Sequence, residues 1–195
     1  VTAKGFLLVM MQPPPAFEEE FNAWYDTEHL PERLAVPGFE TALRFVCLNG
    51  HPRYLAMYDL ASPAVLDSPE YLKVAFANSS PWTLRVLQRV RVYRSFGQQI
   101  YPGNVVTGMP ARVQVLRFRG CPASAGEKIV AGMRINFEKR PQTARVRVLA
   151  YEDSGLTDFL GFVEQHAPDD TALDLGAFGD HARAIDLVNV YAPYQ

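Results

Sequence analysis

One order of elements, written twice along the chain, constrains this sequence more than any single residue. Residues 5–12 form a compact apolar run that reads as a buried strand, and Pro13-Pro14-Pro15 forces an extended break after it. An amphipathic helix is predicted over 18–33, which Pro31 should end or kink. Pro37-Gly38 marks a turn, 39–48 is strand-like, Asn49-Gly50 is a hairpin signal, and 53–60 is the returning strand. Ser62-Pro63 opens a second helix, expected in two pieces to about 78, and Pro81 starts another short helical turn. Residues 86–96 alternate as a long strand, with Val90, Val92 and Arg94 on one side. The order is β-α-β-β-α-β.

The same order returns in the second half. Strand 112–119 leads to a helical period over 124–140 with Pro141 beyond it, and strand 144–152 follows. Asp153-Ser154-Gly155 is a turn, 158–165 a strand, 168–178 a helix and 185–191 a last strand. The halves echo each other in residues as well: the Val-x-Val-Tyr of 90–93 returns at 188–191, and Thr41-Ala42 returns as Thr143-Ala144. The expected division is a first module over 1–97, a linker over 98–110 and a second module over 111–195. One βαββαβ unit makes a four-stranded antiparallel sheet with two helices on one face, leaving the other face to be covered. Two such sheets, packed face to face or closed into a barrel, cover it. The chain can do this within itself as a pseudo-dimer, and a further homodimer stays open. The predicted class is α+β, two tandem ferredoxin-like modules.

Bulk properties narrow the function. The chain has 195 residues, 48% of them hydrophobic and 21% charged, enough for a real core. A net charge of −2 with no basic aromatic platform argues against nucleic-acid binding. Arg85, Arg89, Arg91 and Arg94 read as a solvated strand face. Cys47 and Cys121 read as reduced thiols, and the apolar run 6–11 is too short to span a bilayer. The expected location is cytoplasmic, with no membrane partner.

Chemistry concentrates in the first helix. On a wheel of about 100° per residue, Phe17, Phe21, Trp24 and Glu28 share a face, and Tyr25 and His29 form the adjacent row one turn apart. A carboxylate and an imidazole at the end of an apolar stripe are costly to bury without partners. His29 is the candidate acid-base, because imidazole gains and loses a proton near neutrality. Glu28 is the second candidate catalytic group, Tyr25 a candidate donor to a carbonyl, Trp24 a candidate pocket wall, and Arg44 on the next strand a candidate for an anionic ligand. The structural alternatives are that His29 caps the helix end, that Glu28 pairs with Arg33, and that Trp24 is core. His166, Asp169, Asp170 and His181 match no familiar metal spacing, so no metal is expected. Walker, dinucleotide and Gly-x-Ser-x-Gly signatures are absent, so no cofactor is expected.

The run Trp24-Tyr25-Asp26-Thr27-Glu28-His29-Leu30-Pro31-Glu32-Arg33, followed by Val36-Pro37-Gly38-Phe39, resembles the EthD-like branch of the dimeric α+β barrel superfamily. That branch often carries an aromatic-x-x-x-His-x-Pro pattern, which Tyr25, His29 and Pro31 match. The resemblance implies a ligand pocket between sheet and helices, in a superfamily of isomerases, cyclases, small monooxygenases and haem enzymes. It admits haem ligation by His29, for which the rest of the chain offers no signature. In the second half Glu138 and Pro141 keep the spacing of Glu28 and Pro31, but Lys139 replaces the histidine, so that half reads as a degenerate copy.

The leading expectation is a cofactor-independent acid-base enzyme acting on a small carbonyl or lactone compound in an apolar pocket. A non-catalytic ligand-binding or oligomerising barrel is the alternative. A cofactor-free or haem-linked monooxygenase is the further alternative.

Overall fold

The computed structural model describes residues 3–194. Eight strands close into one antiparallel barrel: β1 (Gly5–Gln12), β2 (Leu43–Cys47), β3 (Tyr54–Leu60), β4 (Arg91–Tyr101), β5 (Arg112–Cys121), β6 (Thr143–Asp153), β7 (Leu156–Gln165) and β8 (Ile185–Pro193). Around the barrel they run β1-β3-β2-β8-β5-β7-β6-β4. The first half contributes β4-β1-β3-β2 and the second the equivalent β8-β5-β7-β6, and the two sheets meet edge to edge at two seams, β2 with β8 and β4 with β6.

Strand periodicity builds two cores at once. Phe6, Leu8 and Met10 of β1 point inward and meet Phe45, Met57, Val115 and Phe162 inside the barrel. Leu7, Val9 and Met11 point outward and carry the first helical layer through Phe17, Phe21 and Trp24. That layer comprises α1 (Glu18–Trp24), a π-helical turn (Tyr25–His29), α2 (Leu30–Leu34), α3 (Pro69–Leu72) and α4 (Pro81–Leu87). In the second half α5 (Gly126–Phe137) lays Ile129, Met133 and Phe137 on the outer face of its sheet. Because β1 and β3 are covered on both faces, β1 reads as a continuous apolar run and β3 as one broken only by Asp59.

Several sequence expectations shift. The strand expected over 86–96 starts at Arg91, because Ser80 caps α4 through the Thr83 amide at 3.0 Å and the helix carries Val86 into the core. That strand continues to Tyr101, so residues 98–101, expected in the linker, are sheet. The helix expected over 62–78 is two 3₁₀ pieces (Pro63–Asp67 and Phe76–Asn78) around α3. The helix expected from 168 does not form there. Asp169 instead accepts from the Thr171 amide and binds Arg140, each at 2.9 Å, and a 3₁₀ segment kinked at Gly179 follows over Leu175–Ala184. Cys47 and Cys121 are free thiols. Among the described residues no helix is long and apolar enough to cross a membrane.

The seams are thin. Three residue pairs join β2 to β8, and three join β4 to β6 across a bulge. At the second seam a Cβ on Gly97 would stand 2.2 Å from the Ala150 carbonyl oxygen, so only glycine permits this approach. A polar cluster inside one end of the barrel ties both halves and the connecting segment together. Asp59 of β3 and Arg147 of β6 form an ion pair with both side chains at 0% exposure. Thr41 Oγ1 donates to Asp59 at 2.6 Å, the Thr107 amide donates to it at 2.7 Å, and Arg147 donates to Thr107 Oγ1 at 2.7 Å. The Gly108 amide donates to Glu164 at 2.9 Å, and Arg145 donates to the Val106 carbonyl. Burial pushes the Asp59 carboxyl up, but Arg147 and these hydrogen bonds outweigh it and hold it below its ordinary 3.8.

Removing one partner leaves the other charge stranded in the interior. Arg147→Met should therefore destabilise the fold by about 3–5 kcal/mol in urea unfolding. The double variant Asp59→Leu/Arg147→Met should recover much of that loss; equal costs for single and double variants would contradict the coupling.

Candidate active site

The helix over 18–34 is continuous through Pro31, and the reason is local. Proline lacks an amide and its ring presses on the carbonyl four residues back, here that of Thr27. The chain answers with a π turn, in which the Leu30 amide donates to the Tyr25 carbonyl five residues earlier. Pro31 then occupies the first turn of α2, where its missing donor costs nothing. The wheel-based expectation of an end or sharp kink at Pro31 is thus corrected to a widened turn that includes both Tyr25 and His29.

Glu28 and His29 part company at this turn. Glu28 reaches α4, where its Oε1 accepts from Ser80 Oγ and, at 3.3 Å, from Thr83 Oγ1. Trp24 Nε1 donates to the same Thr83 hydroxyl at 3.0 Å. Glu28 therefore ties the helix to the cap of α4, and the expected alternative of a Glu28–Arg33 pair is not formed. Trp24 is core, and it supplies the wall on which His29 rests, with ring centres 4.3 Å apart. Tyr25 meets the same imidazole edge-on at 5.1 Å, and its hydroxyl pairs with that of Tyr58 at 3.2 Å.

His29 is half-buried, and among the described residues nothing partners its buried Nδ1. Burial first, then the charges of Arg33 and Arg44, push its pKa down to about 3. The imidazole is therefore neutral across the physiological range. Burial pushes Tyr25 up to about 12 and Tyr58 well above its ordinary value, so both phenols keep their protons. Within that hydroxyl pair one proton is shared, and the accepting phenol retains its own.

Arg44 is buried and already paired. It donates to Asp26 at 2.5 Å and to Asn22 at 2.6 Å, and its guanidinium lies 4.4 Å from the Tyr25 ring and 4.1 Å from Tyr194. It lines a cleft of about 790 Å³ with Asp26, Leu30, Tyr194 and Met109 of the connecting segment. Glu28 and His29 do not line this cleft, so the structure does not bring Arg44, Glu28 and His29 to one hollow. The residue that sequence reasoning passed over is Arg33, buried one turn after His29. Its signal was present: Tyr25, His29 and Arg33 are spaced four apart along one helix row.

A haem does not fit these residues. The His29 ring lies against Trp24 at an angle of 31°, two guanidinium charges oppose a cation at its nitrogens, and no histidine lines the clefts of about 620, 660 and 790 Å³. The counterpart helix of the second half carries no histidine, and Glu138 there bonds to Arg134 and Tyr101.

No protein-family profile matches the chain, and no curated protein matches it. Solved structures do. An anthrone oxidase-like protein superposes with a TM-score of 0.71 at 12% identity, covering 100% of this chain and 92% of the other. A chlorite dismutase variant from Candidatus Nitrospira defluvii gives 0.60 at 9% identity over 100% and 92%. A monooxygenase-like protein from Lactobacillus acidophilus NCFM gives 0.56 at 8% identity over 98% and 93%. The fold is that of the dimeric α+β barrels. In this dimeric α+β barrel both sheets come from one chain, so the pairing that the fold requires is intramolecular.

The depressed pKa of His29 makes a signed prediction. The unfolded chain takes up this proton near pH 6.5, the folded chain only near pH 3. Stability from this group is thus complete above the unfolded value and lost as pH falls from 6.5 toward 3, by at most about 1.4 kcal/mol per pH unit. His29→Phe should flatten that slope in urea unfolding, and the wild-type imidazole resonance should not titrate between pH 5 and 8, where an unperturbed histidine does.

Proposed function

We propose that this protein is a small-molecule enzyme whose chemical step is proton abstraction by His29 from a carbonyl, phenolic or lactone compound. The observation that carries this reading is a neutral imidazole with a buried nitrogen that no group among the described residues partners. Such a nitrogen has lost its water and costs about 1–3 kcal/mol unless a ligand takes water's place. The ring is in its base form at neutral pH and is held on Trp24 and Tyr25. Proton transfer creates an imidazolium and an oxyanion together. The new negative charge then offsets the guanidinium charges that disfavour the imidazolium. The spare proton of the Tyr25–Tyr58 pair is a donor for the ligand's carbonyl oxygen. Glu28 acts through α4 as a positioning residue. The working site belongs to the first half, and the second half serves as its structural copy.

An oxygen-using version of the same chemistry is favoured by the likeness in fold to the anthrone oxidase-like protein. For this chain it means that a methylene beside a carbonyl loses a proton, and the resulting carbanion reduces dioxygen. One oxygen atom stays as the new carbonyl, and the other leaves as water with both methylene hydrogens.

A tricyclic anthrone is the probe. Exchange of its methylene deuterons under argon reports proton abstraction, and oxygen uptake in air reports oxidation. His29→Gln should lower both by roughly 10²–10⁴-fold with the circular dichroism spectrum unchanged. Equal rates in wild type and variant would overturn the assignment. A wild type that binds the anthrone without exchange would place the chain among non-catalytic ligand binders.

A further inference from the structure

Three buried polar atoms lie within little more than one helical turn and have no hydrogen-bond partner among the described residues: Nδ1 of His29, Oε2 of Glu32 and Nη1 of Arg33. The arginine is the informative one. Arg33, Arg44 and Arg147 are the buried arginines of the described chain. Arg44 is hydrogen-bonded to Asp26, and Arg147 to Asp59. Arg33, at 5% exposure, has no hydrogen-bonded carboxylate. Its Nη2 donates to the Val74 carbonyl at 3.0 Å, and its guanidinium lies 5.3 Å from the centre of the Tyr71 ring. Its carboxylate contact is Glu32, 3.7 Å from Nη2 and too far for a hydrogen bond. A buried cation with an open donor is an expensive arrangement to keep. It becomes favourable when an anionic oxygen completes it, because charge-assisted hydrogen bonds are about twice as strong as neutral ones.

Position adds to the case. Arg33 follows His29 by one turn on the same helix row as Tyr25, and its charge is felt at His29, Tyr25 and Tyr58. The groups in contact with it are Glu32 beside it, the Val74 carbonyl and the Tyr71 ring, and Glu28 raises the pKa of the neighbouring Glu32 rather than pairing with the arginine. We propose that Arg33 holds the substrate oxygen as an oxyanion while His29 takes the proton. This rests on the acid-base reading above. It narrows the substrate to compounds whose conjugate base is a phenolate or an enolate, and it gives Glu32 the part of a competing anion that the substrate displaces. Arg44, neutralised by Asp26, is then an anchor of the helix rather than the anion site.

The test uses binding, not turnover. 4-Nitrophenol is titrated into the full chain at fixed pH, and absorbance separates bound phenolate from bound phenol. The wild type should enrich the phenolate over its fraction in buffer. Arg33→Gln should weaken phenolate binding roughly 10- to 100-fold while leaving neutral phenol little changed, and Arg33→Lys should retain part of the preference. Glu32→Gln should act in the opposite direction and tighten phenolate binding. His29→Gln should leave phenolate enrichment in place, so failure of the proton-transfer reading is distinguishable from failure of this one. No enrichment in the wild type, or weaker phenolate binding in Glu32→Gln, would overturn the proposal. Both readouts stand even where a variant at Arg33 does not fold.

Discussion

The ion pair between Asp59 and Arg147 lies inside a barrel whose two seams supply only three paired residues each. Hydrogen bonds across such short seams contribute modestly, since each replaces a bond to water. The pair works differently. It joins a strand of the first half to a strand of the second, and the connecting segment is drawn in through Thr107 and Gly108. Two bare charges could not remain in that interior, so the halves and the segment must be in place together. The apolar side chains above the pair, from Phe6 to Phe162, supply most of the favourable burial. The pair links β3 of the first half to β6 of the second, so a misjoined barrel would leave both charges buried without a partner.

A comparable constraint, on a smaller scale, shapes the candidate site. Pro31 removes one amide and crowds one carbonyl, and the π turn absorbs both. The widened turn leaves Tyr25 and His29 in mutual contact and sends Glu28 to α4. Trp24 and Thr83 then brace the turn from behind. The imidazole ends up on a rigid aromatic bed, with two guanidinium groups nearby and one nitrogen unsatisfied. Rigid support of this kind holds a reactive group in position, as a site for proton transfer needs.

Short apolar runs bounded by turn residues made β1 and β3 legible, since a run of that length buried on both faces reads as a strand. Element edges were less legible. Val86 fits a strand or a helix by hydrophobicity, and only the Ser80 cap decides for the helix. The helix expected from Pro168 was lost to Asp169, whose side chain serves Arg140 and the Thr171 amide instead. In the site, His29 and Tyr25 were visible through spacing and their company with Pro31. Arg33 was hidden because the sequence offers it a partner in Glu28, and Glu28 is engaged with Ser80 and Thr83, 52 and 55 positions away.

The sequence by itself determined the α+β class, the doubled βαββαβ order and the row of Tyr25, His29 and Arg33, because each is set by local periodicity and spacing. Only the tertiary structure decided that the sheets close on each other within one chain, because closure rests on strand edges, and on a charge pair 88 residues apart, that meet only in the folded chain. Only it decided which polar side chains find partners. Pairing of a buried polar group depends on what the folded chain brings to it, and at Asp59 that is Arg147, at Glu28 it is Ser80, and at His29 and Arg33 no described residue meets one nitrogen.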